Sequence, residues 1–149
     1  MAGSNPRPFL DSNVLFSAFY NPTSDPRELL RRHAQDVLSI VVSSLVLREI
    51  TRSLRRKQPS RLPELDAFLR NTPPEIVPAP SNDAINAIAH CINEKDAPIL
   101  AAAVASRADC IVSGNTRHFN QETAECAGIA IFTPAAYLTA LDRSNSIRR

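Results

Sequence analysis

Three carboxylates and one amide stand where apolar runs end or helices begin. Asp11 follows Phe9-Leu10, and Glu49 lies on a helical stretch opening at Ser44. Asp96 precedes the Ala-rich run from Ala97, and Asn115 follows Cys110-Ile111-Val112 and the small pair Ser113-Gly114. If Asp11, Glu49 and Asp96 share a cleft, they repel strongly at low effective dielectric, so either one carries a proton or a cation neutralises them. Oxygen donors with no His or Cys companion select Mg²⁺ or Mn²⁺ over Zn²⁺. Asn115 would bind such a cation more weakly than Asp, yet its carbonyl oxygen can ligate directly or orient a bound water. Each residue also has a plainer role. Asp11 and Asp96 are good helix N-caps, and Glu49 is an exposed acid available to Arg52 or Arg56.

A parallel sheet would gather the four. Short apolar runs alternate with longer helical ones, the signature of a parallel sheet covered by helices. Strands are expected at residues 9–10, 38–42, 76–77, 110–112 and 129–132, and helices at 27–34, 44–57, 63–70, 83–93, 97–107 and 134–141. Ser44 is read as the N-cap of the second helix, and Thr133 stands before Pro134 as a further start signal. In open parallel sheets ligands bind at the carboxyl ends of the strands, where Asp11 and Asn115 fall. The Ala-rich helix after Asp96 should pack close to its neighbours and hold its first turn near that edge.

At 149 residues and 44% apolar content the chain suits one domain with a single core. The domain is expected to span residues 1–149, with its core at about 8–141 and a polar, frayed tail at 142–149. No apolar stretch approaches the roughly 18 residues of a membrane span, and the N-terminus lacks the features of a secretory signal. The expectation is a cytoplasmic protein. With only Gly3, Gly114 and Gly128, a glycine-rich phosphate loop is excluded. Cys91, Cys110 and Cys126 are odd in number and contain no CxxC pair. That disfavours a disulfide framework and a thiolate zinc site, and reads them as small core hydrophobes. The formal charge of +2 hides a basic stretch of Arg48, Arg52, Arg55, Arg56, Lys57 and Arg61, opposed only by Glu49 before Glu64.

The ordered set "FLDSNVLFSAF", an acid on a helix at Glu49, and "KDAPILAAAVASRADCIVSGNTRHF" resembles the PIN domain family from Phe9 to Leu141. The resemblance implies a three-layer α/β/α sandwich around a five-stranded parallel sheet. It also implies a metal-dependent ribonuclease that hydrolyses RNA phosphodiester bonds, often the toxin of a type II toxin-antitoxin pair. Asp11, Glu49 and Asp96 match the family's acids, with Asn13 beside the first and Ser113 supporting. Asn115 stands where the family frequently has Asp, in a "GNTRHF" form similar to one branch of the family, which puts binding of a second metal in doubt. The cofactor implied is Mg²⁺ or Mn²⁺, and the partners implied are RNA, an antitoxin protein and a second copy of the chain, with no membrane. Arg48, Arg52 and Arg117 are the candidates for contacting RNA, and Arg117 and His118 for stabilising the leaving oxygen. The competing expectation is a PIN-like module with weakened metal affinity that binds RNA or a protein without cutting it.

Overall fold

The computed structural model describes residues 5–148. Five strands, β1 (Pro8–Leu10), β2 (Val41–Ser43), β3 (Glu75–Val77), β4 (Cys110–Val112) and β5 (Ala130–Phe132), form one sheet in the order β3-β2-β1-β4-β5. All neighbours pair in parallel, with Phe9 opposite Val41 on one side and Ile111 on the other. Each expected strand is present. The three central strands are fully buried, as a sheet covered on both faces requires. Edge strand β3 is largely exposed and β5 largely half-buried, and Arg7, just before β1, reaches Glu75 at the start of β3 in an ion pair of 2.8 Å.

Helices α1 (Ser12–Tyr20), α2 (Asp25–Ala34), α3 (Ser44–Lys57) and α4 (Leu62–Asn71) occupy the β1-to-β2 and β2-to-β3 crossovers, with a 3-10 turn at Pro59–Arg61. Helices α5 (Asn82–Ile88) and α6 (Ala97–Ala105) return the chain to β4, α7 (Gln121–Ala127) leads to β5, and α8 (Pro134–Arg148) closes the chain. Right-handed crossovers that run first one way along the sheet and then the other place helices on both faces. Contacts follow that division: α1 packs on α2 and α3, α2 meets α8, and α5 packs on α6.

Local sequence explains the elements that matter for the site. On α3, Val46, Ile50 and Leu54 recur every four residues and are fully buried, while Arg48, Arg52, Arg55 and Arg56 are exposed. The cap is Ser43, whose Oγ accepts from the Val46 N–H at 3.2 Å, one residue before the expected Ser44. Helix α6 buries Ala97, Ile99 and Leu100 to Ala103, so small side chains let it lie close against α5 and β2. Four helices depart from the expected ranges. Helices α1 and α7 lie outside them, the short α7 lacking an apolar periodicity, α5 stops at Ile88 and not at residue 93, and α8 takes in the polar residues of the expected tail through Arg148, with Arg149 outside the described residues.

The cysteines require a correction. Cys110 is a buried core residue on β4, as expected, but Cys91 and Cys126 are joined by a disulfide across 35 residues of sequence, with Cα atoms 5.5 Å apart. The reason is tertiary. The segment after α5 and the helix α7 lie side by side, which spacing along the chain cannot reveal.

Ile111, fully buried in β4, tests this core against the edge. Ile111→Ala is expected to cost about 2–5 kcal/mol by chemical denaturation. Replacing the 51% exposed Ile76 on β3 by Ala should change stability by only about 0.5 kcal/mol. Equal losses at the two positions would contradict the layering.

Candidate active site

The strand order reverses between β1 and β4, because the chain moves outward from β1 to β3 and then jumps back to begin β4. The connections leaving the carboxyl ends of those two strands run to opposite sides there and open a crevice. Asp11 and Ser113 are the first residues past the paired Leu10 and Val112, and the Asp11 N–H extends the ladder by donating to the Val112 carbonyl at 3.0 Å. Asp11 also caps α1, with Oδ1 accepting from the Ser12 N–H at 2.8 Å. Capping and site placement are therefore one geometry for this residue.

A hydrogen-bond network holds Asp11 in place. Its Oδ2 accepts from Asn13 Nδ2 and from Ser113 Oγ, both at 2.9 Å. Asn13 Oδ1 in turn accepts from the Gly114 N–H at 2.8 Å, and Ser113 Oγ accepts from the Asn115 N–H at 3.0 Å. The small-residue turn has a steric cause. A Cβ on Gly114 would stand 3.1 Å from Asn13 Oδ1, tighter than ordinary van der Waals contact.

Glu49 reaches this network from α3. Its Oε2 accepts from Ser12 Oγ at 2.7 Å, and it forms no ion pair with Arg52 or Arg56. Asp96 does not cap α6 with its side chain. Its Oδ2 instead accepts from Asn93 Nδ2 at 2.7 Å and from His118 Nδ1 at 2.8 Å. Asn115 Nδ2 lies 3.3 Å from the same His118 nitrogen. An Nδ1–H that donates to Asp96 has nothing left to accept from the amide, so the shorter contact defines the ring and Nε2 remains for other partners.

Two hydrogen-bonded groups result: Asp11, Glu49 and the Asn115 backbone with Ser12, Asn13 and Ser113, and Asp96 with Asn93 and His118. The backbone joins them, the His118 N–H donating to the Asn115 carbonyl at 3.3 Å. Ser12 and Asn93 escaped the sequence reading, since nothing in their spacing marks them as partners of Glu49 and Asp96. Arg48, Arg52 and Arg117 are exposed, and among the described residues their side chains form no ion pair, so they stand outside the network. A groove of about 290 Å³ lined by Asn13, Ser17, Gly114 and Asn115 adjoins the crevice.

The electrostatics follow from burial. Asp11 is 5% exposed, and that desolvation raises its pKa above the usual carboxylate range. The Ser113 and Ser12 hydrogen bonds oppose the rise, and the negative charges of Glu49 and Asp96 add to it. Among the described residues no Lys or Arg lies within 4.0 Å of any of the three carboxylates, and His118 is the sole basic partner. Each keeps an oxygen with spare capacity: among the described residues Glu49 Oε1 and Asp96 Oδ1 have no hydrogen-bond partner, and Asp11 Oδ1 accepts one bond. An under-compensated set of oxygens fits a hard divalent cation. Among the described residues the three carboxylates do not bring one oxygen each within 4.8 Å of one another, so an ion held here would take one or two of them directly and complete its shell with water, as Mg²⁺ does.

Because the folded-state pKa of Asp11 is raised, its contribution to stability is fully present below its unfolded value, near 3.8, and is lost as pH rises through the folded value. In metal-free protein, the stability difference between wild type and Asp11→Asn should therefore move in the variant's favour with rising pH, as measured by urea denaturation in EDTA. A difference independent of pH would remove the burial penalty assigned to Asp11.

A profile of the family described as "PIN domain" matches residues 7–117. No curated protein sequence matches the chain. Among solved structures, the chain is similar to VapBC2 from Rickettsia felis bound to a promoter DNA fragment, at 20% identity and a TM-score of 0.63, covering 85% of this chain and 98% of that one. It is also similar to FitAcB from Neisseria gonorrhoeae, at 17% identity and a TM-score of 0.58, covering 86% and 98%. DNA-bound VapBC from Salmonella typhimurium matches at 16% identity and a TM-score of 0.62, covering 87% and 98%. At such identities the structures speak for the fold, while the profile spans most of the residues that build the crevice. The chain belongs to the PIN domain family.

Proposed function

We propose that the chain is an endoribonuclease dependent on Mg²⁺ or Mn²⁺, acting as the toxin of a type II toxin-antitoxin pair. The observation that supports this most is the buried Asp11 carboxylate, neighboured by Glu49 and Asp96 and compensated by no Lys or Arg among the described residues. Asp11 and Asp96, joined by Glu49, would hold the cation, with Asn115 oriented toward it directly or through water. When bound, such an ion acidifies water and neutralises negative charge on the phosphate.

The chain's own residues divide the remaining work. Ser12, Asn13 and Ser113 lock the Asp11 carboxylate in one orientation, and Asn93 and His118 do the same for Asp96. Glu49 is exposed, and its Oε1, with no hydrogen-bond partner among the described residues, can accept a proton from an attacking water. His118 Nε2, on the ring bonded to Asp96, and the exposed Arg117 next to it in the chain are the groups available to the leaving oxygen. The exposed arginine face of α3 attracts the phosphate backbone without reading its sequence. An antitoxin partner is supported by the likeness to complexes named VapBC, and a homodimer belongs to the same reading. No helix of the described residues is long and apolar enough to cross a membrane.

RNA cleavage should require Mg²⁺ or Mn²⁺, cease in EDTA, and fall at least about 100-fold in Asp11→Asn and Asp96→Asn, beyond the 10–100-fold typical of outer-shell partners. Activity surviving both substitutions rejects the site. Asn115→Asp should tighten divalent binding by calorimetry, and an unchanged affinity would separate the amide from the cation. Loss of Arg48 and Arg52 should flatten the salt dependence of RNA binding by about 1.4 in log–log slope if each meets one phosphate of a single strand. RNA binding with no measurable divalent binding would favour the non-cleaving module.

A further inference from the structure

Beside the carboxylate network lies a second cluster of different chemistry. His90, Cys91 and Cys126 bring their ligand atoms within 4.8 Å of one another, and His90 Nε2 stands 3.7 Å from Cys91 Sγ. All three line a cavity of about 360 Å³, whose wall also includes Asn93, His118 and Glu122. His90 and Cys126 are exposed and Cys91 is half-buried, so the cluster is open to solvent. We infer that His90, Cys91 and Cys126 form a redox-gated site for a thiophilic divalent cation such as Zn²⁺, closed when the cysteines are joined and open when they are reduced.

Two thiolates and an imidazole are the donors zinc prefers, and three protein ligands leave a fourth tetrahedral position for water or a cavity-lining group. Two thiolates on one zinc stand about 3.8 Å apart, given Zn–S bonds of about 2.3 Å. The Cα separation of 5.5 Å accommodates that spacing. The two segments do not depend on the disulfide alone to stay adjacent. Thr123 on α7 is 3% exposed, and its Oγ1 lies 2.9 Å from the His118 carbonyl and 3.4 Å from that of Cys91. Ile88, at the end of α5, and Ala124, on α7, are both buried. Reduction therefore leaves two thiols facing each other beside His90. Cys110 does not compete, because burial pushes its thiol pKa up to about 12.

The chemistry balances with a dithiol as reductant. The reagent gives two electrons and two protons to the Sγ–Sγ bond and becomes a cyclic disulfide, leaving two cysteine thiols. A divalent cation then displaces both thiol protons to solvent. This reverses the sequence expectation that the cysteines disfavour a thiolate zinc site, since the pair is assembled from separate segments and needs no CxxC spacing. The site also touches the carboxylate network, because the segment 89–96 between α5 and α6 carries Asn93 and Asp96.

The test uses Co²⁺ alone as probe on the full chain, reduced by a dithiol that is then removed without air. Thiolate-to-cobalt charge-transfer absorbance reports sulfur ligation that carboxylates cannot mimic, so the result does not depend on nuclease activity. The reduced protein should develop the band, saturating at one ion per chain and bleached by Zn²⁺, while the oxidised protein should show none. Cys126→Ser should lose the band, and His90→Ala should weaken Co²⁺ binding at least about tenfold, with circular dichroism checking the fold. Absence of the band in reduced wild type, or its survival in Cys126→Ser, overturns the site. Equal binding by oxidised protein overturns the gating, and a variant that does not fold leaves the wild-type pair to decide.

Discussion

One buried carboxylate organises this molecule's chemistry. Asp11 sits at 5% exposure with two further acids acting on it, and an ionised carboxylate in that position is costly unless something compensates it. The protein supplies part of the compensation through three donors, the Ser12 N–H, Asn13 Nδ2 and Ser113 Oγ. The Ser113 and Ser12 bonds lower the pKa, yet burial outweighs them and the net direction remains upward. A site built for stability alone would place an arginine here, and this chain has many. Among the described residues no arginine pairs with the three carboxylates, while several crowd the outer face of α3, which separates two functions of positive charge. The exposed arginines suit a long polyanion, and the crevice retains its deficit of positive charge.

The fold makes such a crevice from ordinary elements. Three central strands of three residues each are buried on both faces, so β1 and β4 cannot shift register without moving the core. Their carboxyl ends therefore set the relative position of Asp11 and Ser113 through backbone pairing, and the side-chain bond between them follows. Glu49 and Asp96 come from helices instead. The buried Val46, Ile50 and Leu54 face orients α3, and the small buried side chains of α6 bring its first turn inward. Two acids thus depend on helix packing and one on the sheet.

What was legible from the residues divides along the same line. Strands β1 and β4 and the acid after β1 could be read because a short buried run ending in a polar residue has few meanings in a parallel sheet. The Ala-rich stretch after Asp96 announced a close-packed helix for the same reason. The roles of individual polar groups were less readable. Asp96 has the type and position of an N-cap and yet bonds to Asn93 and His118, and Glu49 bonds to Ser12 rather than to an arginine on its own helix. Both choices are decided by distances between segments, which local pattern does not encode. Helix α7, with seven residues and little periodicity, left no hydrophobic signature. Without it the proximity of Cys126 to Cys91 was invisible, and so was their pairing.

The two halves of the crevice consequently differ in how firmly they are held. Asp11, Ser113 and the turn through Gly114 are anchored to buried strands, and a larger residue at Gly114 would press on Asn13 Oδ1, which holds the turn. Asp96 is oriented by Asn93 and His118, both exposed and both on connecting segments, and segments of that kind are where local stability is lowest. The link from Cys91 to Cys126 ties the segment bearing Asn93 to α7, and Thr123 reaches the carbonyls of His118 and Cys91 from that helix. Whatever joins or separates the cysteine pair therefore acts on the less constrained half of the site, while the half that holds Asp11 remains fixed by the sheet.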